Sequence, residues 1–273
     1  MPGRVLRIMA IGAHPDDCES KAGGCAAMWA AQGHAVRFVY ATNGQTGHHV
    51  MAGAQLAQRR IAEVRAAANV LGIESQVLPI PNGQIEPSLV YRWMFIRTIR
   101  EFCPDLILTH RPNDYHPDHR NTSLLVQDSS YLITVPNTCP ETPAMKDAPA
   151  ILYFCDKFQK PYPFQGDIVI ATDSVIEKKL QAFGCNESQV FEWMPWRAGV
   201  LDQVPADPAG RRQWVWDHHA PRFAAVANRF RAKLLERYGR RKGQAVKYAE
   251  AFEICEYGAP VDASAVERLF AGL

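Results

Sequence analysis

The chain has 273 residues, 47% of them hydrophobic and 21% charged, with a formal net charge of +2. That length supports one large core, and the near-neutral balance, with no nucleic-acid motif, gives no reason to expect a polyanionic partner. No apolar run reaches the ~20 residues a membrane-spanning helix needs, and no membrane partner is expected. The apolar N-terminal stretch leads straight into chemistry-bearing residues that cleavage as a signal peptide would destroy, which makes a cytoplasmic location the expectation. Cysteines at 18, 25, 103, 139, 155, 185 and 255 form no Cys-x-x-Cys pair and fit reduced, mostly buried thiols.

In chain order, Val5 to Ile11 reads as a buried strand, 18–32 as a helix and Ala35 to Ala41 as a strand. A helix over 54–71 follows, with Ile61, Val64, Ala68 and Leu71 as its apolar stripe. Gly33 and Gly72 fall where helix C-caps belong. Gln76 to Ile80 is a short strand, 87–102 a helix opened by Pro87, and 106–109 a strand. The stretch 136–149, with four prolines, is a loop leading to strands at 151–154 and 167–171. Ser174 and Glu177 have capping-box spacing; a long basic helix over 208–241 and a strand over 249–256 complete the chain. This alternation predicts a single α/β domain, a Rossmann-like mostly parallel sheet with helices on both faces, plus a C-terminal extension from about residue 174. Gly23-Gly24 fits no phosphate-binding pattern and reads as close helix–sheet packing.

Two clusters sit at strand ends, where open α/β sheets bind their ligands. The first is Ala13-His-Pro-Asp-Asp-Cys-Glu19; the second is Arg111-Pro-Asn-Asp-Tyr-His-Pro-Asp-His119, after the run Leu106 to Thr109. Imidazole and carboxylate suit Zn²⁺ and Fe²⁺, and two His with one carboxylate and an open position make a catalytic rather than structural site. His14, Asp17 and His119 would supply that set. Successive residues at a strand end point apart, so one of Asp16 and Asp17 can coordinate an ion while the other faces a water. A metal lowers the pKa of such a water from 15.7 to about 7, the step amide hydrolysis needs at neutral pH.

The two motifs resemble those of the PIG-L/LmbE-like family of metal-dependent N-acetylglucosaminyl deacetylases. Thr42-Asn43-Gly44, Arg60-Ile-Ala-Glu63 and Ala249-Glu-Ala-Phe-Glu253 also resemble family positions in the expected order. The resemblance implies that His14, Asp17 and His119 bind Zn²⁺, with Fe²⁺ or another divalent ion compatible, and that Asp16 is the general base. It further implies that His116 stabilises the oxyanion or protonates the leaving amine, with Asp118 as its orienting partner. Arg60, Asn43 and Asp114 are the implied substrate contacts, the substrate being a small amino sugar. Relatives are often oligomeric, so a homo-oligomer is the weaker expectation. Here Cys18 stands where many relatives have Glu, and Asp114 where some have Tyr.

Two other classes use some of these residues. His14-x-Asp16 with a distant His fits the facial triad of non-haem Fe(II) oxygenases, whose usual all-β barrel this chain lacks. A non-catalytic sugar- or nucleotide-binding module would have no need of a base beside intact ligands. His48-His49 and His218-His219 read as surface or loop residues before ligands, the first pair being the better placed. Trp193, Trp196, Trp214 and Trp216 read as packing at least as readily as a sugar-stacking surface.

Overall fold

The computed structural model describes residues 4–273. Seven strands form one sheet in the order β3-β2-β1-β4-β5-β7-β6. They are β1 (Arg7–Gly12), β2 (Ala35–Thr42), β3 (Glu74–Ile80), β4 (Leu106–Thr109), β5 (Ala150–Phe154), β6 (Ile168–Ala171) and β7 (Ala249–Ile254). β1 to β5 are mutually parallel, and β7 runs antiparallel between β5 and β6. A strand from the stretch beyond residue 174 is thus inserted into the same sheet.

The central strands are apolar on both faces, as parallel strands covered by helices must be. Ile8 and Ala10 of β1 face a layer with Cys25 and Trp29 of α1 (Asp17–Ala31) and Val64 and Leu71 of α2 (Gly53–Leu71). Met9 and Ile11 face the other way, against Phe95 and Ile99 of α3 (Leu89–Phe102) and Leu125 and Val126 of α4 (Pro117–Leu132). The second layer was only half legible. α4 escapes a periodicity reading because its polar residues run onto its buried side, Thr122, Ser123, Ser129 and Ser130 among them.

Several expectations need correction. α3 begins after Ser88, which caps Tyr91 N–H, rather than at Pro87. Ser174 and Glu177 make no capping box: residues 173–175 form a 3₁₀ turn, Asp173 accepts from the N–H groups of Lys247 and Tyr248, and α5 (Ile176–Gly184) starts uncapped by any side chain. After α6 (Met194–Ala198), the expected long basic helix is two, α7 (Pro208–Arg229) and α8 (Arg231–Ala245), with Gly239 non-helical inside the second. The break falls at Phe230, whose ring seats against Gly166; a Cβ there would lie 2.5 Å from the ring carbons. α9 (Ala263–Leu269) packs Leu269 into the first layer. Gly24 is a packing residue, since a Cβ there would come within 2.7 Å of Thr172.

Candidate active site

The carboxyl end of β1 is pinned from both neighbours. Thr42 donates from its N–H and Oγ1 to the Ala13 carbonyl at 2.9 and 2.8 Å, and Thr109 Oγ1 donates to the Ile11 carbonyl at 2.9 Å. The turn into α1 is tight enough to hold Asp16 at φ 124°, a conformation a non-glycine residue keeps only when its surroundings over-determine it. Asp16 and Asp17 consequently meet different partners. Asp16 Oδ2 lies 3.2 Å from Arg60 Nη2, while Asp17 Oδ2 faces the rings of His14, His110 and His119.

His14, Asp17 and His119 come together. His14 Nδ1 lies 3.5 Å from Asp17 Oδ2, and His119 Nε2 lies 3.3 Å from His14 Nδ1 and 3.6 Å from Asp17 Oδ2. A tetrahedral ion with bonds of about 2.0–2.2 Å separates its donors by about 3.3–3.6 Å, so this triangle fits Zn²⁺ or an ion of similar size. Each imidazole also has a carboxylate at its other nitrogen: His14 Nε2 lies 2.9 Å from Asp118 Oδ2, and His119 Nδ1 lies 3.0 Å from Asp114 Oδ2. Such pairing fixes the tautomer and orientation of a metal-binding His. Asp118 Oδ2 accepts a further bond from Gly83 N–H at 2.7 Å, in a β3–α3 loop whose φ of +82° at that position calls for glycine.

The expected pairing of the Asp118 carboxylate with His116 is not made. Asp118 lies in the first turn of α4, so its N–H, not its side chain, meets His116, donating to Nδ1 at 3.1 Å. A neutral ring accepting at Nδ1 carries its proton on Nε2. Asp114, expected to touch substrate, places Oδ2 3.0 Å from His119 Nδ1 and accepts from His116 N–H at 2.9 Å. Asn43 accepts from Gln45 N–H and so shapes its own loop. Arg60 is 2% exposed and reaches the site through Asp16, its Nη1 donating to Ser188 Oγ at 3.4 Å.

The electrostatics follow from burial and crowded carboxylates. Burial disfavours a charged His14, but the hydrogen bonds to Asp118 and Asp17 and the charges of Asp17 and Asp16 outweigh it, pushing its pKa up to about 10. A field that strong on a proton is one that favours a cation. Burial likewise opposes charge on Asp17, yet His119, His110 and His14 hold it well below the usual carboxylate range. Burial raises Asp16 in spite of Arg60, with Asp17 adding to the rise. Burial and the neighbouring His14 and His119 lower the pKa of His116.

Sequence reasoning passed over His110, although it follows β4 as His14 follows β1. Its ring stacks on His119 at 4.0 Å, its Nε2 accepts from Ala13 N–H at 3.0 Å, and burial and His119 lower its pKa to about 4. Gly83 and Ser188 carried no signal in any motif.

A mostly parallel α/β sheet whose strand ends gather two His and an Asp at metal-donor spacing, with a second Asp and a neutral His beside them, defines a class of hydrolytic metal-site proteins. Residues 9–129 match the PIG-L family, described as GlcNAc-PI de-N-acetylase, which bears out the resemblance seen in the two motifs. The chain is 26% identical over 200 residues to a diacetylchitobiose deacetylase of Thermococcus kodakarensis, covering 70% of this chain and 74% of the relative. It is 24% identical to a 4-oxalmesaconate hydratase of Pseudomonas putida, covering 68% and 74%. The fold matches that of N,N'-diacetylchitobiose deacetylase from Pyrococcus horikoshii with a TM-score of 0.70 at 22% identity, covering 92% of this chain and 84% of that one. The all-β barrel in which the facial triad of Fe(II) oxygenases usually sits is not this fold. Among the described residues no helix is long and apolar enough to cross a membrane.

Proposed function

We propose that the protein is a metal-dependent amidase that removes the acetyl group from an N-acetylated amino sugar, with Zn²⁺ held by His14, Asp17 and His119. The observation that carries it is the donor triangle at tetrahedral spacing, with Asp16 beside it and free of it. A divalent cation bound there supplies the acidified water that amide hydrolysis needs.

The protein's own groups do the rest. Asp16, made more basic by burial, takes the water's proton and returns it to the departing amine. Arg60, locked by Ser188, positions the Asp16 carboxylate. His116 donates from Nε2 to the oxygen that becomes negative as the carbonyl is attacked; removing one such donor costs about a hundredfold or more. Asp118 and Asp114 hold His14 and His119 in register.

Amine release from N-acetylglucosamine and its glycosides, with chelator and Zn²⁺ add-back, tests the reading. Chelator-sensitive release restored by Zn²⁺ is expected. The Pseudomonas relative makes hydration of 4-oxalmesaconate the competing activity. Loss of that substrate's ultraviolet absorbance without amine release from any sugar would replace hydrolysis by hydration at the same site.

A further inference from the structure

The segment Ser188–Ala198 lies outside the stretch that matches the family. A π-helix, Ser188–Trp193, leads directly into α6. One end is fastened beside the Asp16 flank of the site: Ser188 Oγ meets Arg60, Glu63 accepts from Ser188 N–H and Oγ at 2.8 and 2.7 Å, and Gln189 Nε2 donates to the Gly47 carbonyl at 2.8 Å. The other end reaches the opposite flank, where the charge of Arg197 acts on the Tyr115 hydroxyl. The Tyr115 ring stands 5.7 Å from His116 and 6.0 Å from His119. The segment therefore spans the site from its base to its oxyanion donor.

Between these anchors the aromatic rings form a stack. Trp193 and Trp196 lie 5.2 Å apart at 21°, and His49 lies on Trp196 at 4.8 Å and 12°. His48 continues the stack from His49 at 4.4 Å. It is braced by Glu192, 3.0 Å from His48 Nε2 and itself bonded by Arg59 at 2.8 Å. Trp196 is nonetheless 48% exposed. A tryptophan stacked against two neighbouring rings and still half exposed is a preformed contact surface rather than core packing.

We propose that Trp196, backed by Trp193 and His49, is the platform on which the ring attached to the acetylated sugar stacks, so that the preferred substrate is an N-acetylglucosaminyl glycoside rather than the free monosaccharide. The occupant is a hydroxylated six-membered ring, because the half-exposed indole has polar neighbours: His49 stacks on it, His48 stacks on His49, and Glu192 bonds to His48, while Arg197 follows it in the chain. A pyranose offers an apolar C–H face to the indole and hydroxyl groups to such neighbours. A lipid or an apolar helix would need the apolar surface to continue, and here it is cut off by charge. The inference rests on the amino-sugar reading above and deepens it.

The test compares kcat/KM for N-acetylglucosamine and for its β-1,4-linked disaccharide in wild type, Trp196→Ala and Trp196→Phe, with melting temperatures as the check on folding. The disaccharide-to-monosaccharide ratio is expected to be tenfold or more in wild type, near one in W196A, and largely retained in W196F. Disaccharide is also titrated into Asp16→Asn protein while tryptophan fluorescence is followed; a saturable change that is lost in D16N/W196A is expected. A wild-type ratio near one, or a ratio that W196A leaves intact, overturns the platform. Absent amine release with a Trp196-dependent fluorescence change removes the hydrolytic reading and supports the platform; absence of both signals removes the two together.

Discussion

The Asp118 carboxylate accepts from His14 Nε2 at 2.9 Å and from Gly83 N–H at 2.7 Å, so one buried oxygen ties the His14 imidazole to the β3–α3 loop. Removing such a partner costs a metal site roughly 10–100-fold in affinity. Asp118→Ala is therefore expected to weaken Zn²⁺ binding by that factor, measured by competition with a chromogenic chelator. If instead the variant bound Zn²⁺ like wild type and lost only turnover, Asp118 would be acting through His116 after all.

Asp16 stands outside the donor triangle, paired with Arg60 at 3.2 Å. Asp16→Asn should keep stoichiometric metal and lose turnover by a factor of at least about a hundred, the scale of a general acid–base contribution. His119→Ala should lose metal and turnover together. Metal analysis of both variants after dialysis decides the assignment: equal metal loss would mean that Asp16 and Asp17 exchange roles.

The central sheet was legible because its strands bury both faces and read as continuous apolar runs, and because two ligand clusters follow two of them directly. What escaped was set by contacts between distant residues. His14 and Asp118 are neighbours only because β1 and β4 pair in parallel, and no spacing in either motif distinguishes a carboxylate that holds His14 from one that holds His116. The helix after His116 was obscured by buried hydroxyl residues, and the break at Phe230 by a glycine that lies far off in sequence, at 166. The Trp193–Trp196 stack was visible as composition, but the half-exposure of Trp196 is a matter of placement.

Lys179 is fully buried with its Nζ 2.6 Å from Glu250 Oε1 and 3.5 Å from the centre of the Phe223 ring. Glu250 also accepts from Gly24 and Cys25 N–H of α1 at 2.7 and 2.8 Å, so the pair fastens β7, α5 and α1 together. Breaking a buried pair from one side strands the other charge and costs about 3–5 kcal/mol, whereas replacing both by apolar residues is often close to neutral. Glu250→Leu should fall in that range by urea denaturation, and Lys179→Met/Glu250→Leu should recover a large part of the loss. No recovery in the double variant would show that the α1 N–H bonds, not the ion pair, carry the stability.

His219, 3% exposed in α7 with its Nδ1 unpartnered, packs edge-on to Phe183 at 4.8 Å. Burial, with the charges of Arg222 and His218 adding to it, lowers its pKa from 6.5 to about 3. Because the folded value lies below the unfolded one, its contribution is fully present above pH 6.5 and is lost as the pH falls toward 3, where only the unfolded chain takes up the proton. One such proton gives a slope of about 1.4 kcal/mol per pH unit, so between pH 6.5 and pH 5 wild type should lose about 2 kcal/mol more than His219→Gln. Denaturant titrations of both proteins at the two pH values measure that difference, whatever the variant costs at neutral pH. Parallel acid limbs would mean that another group sets the acid sensitivity.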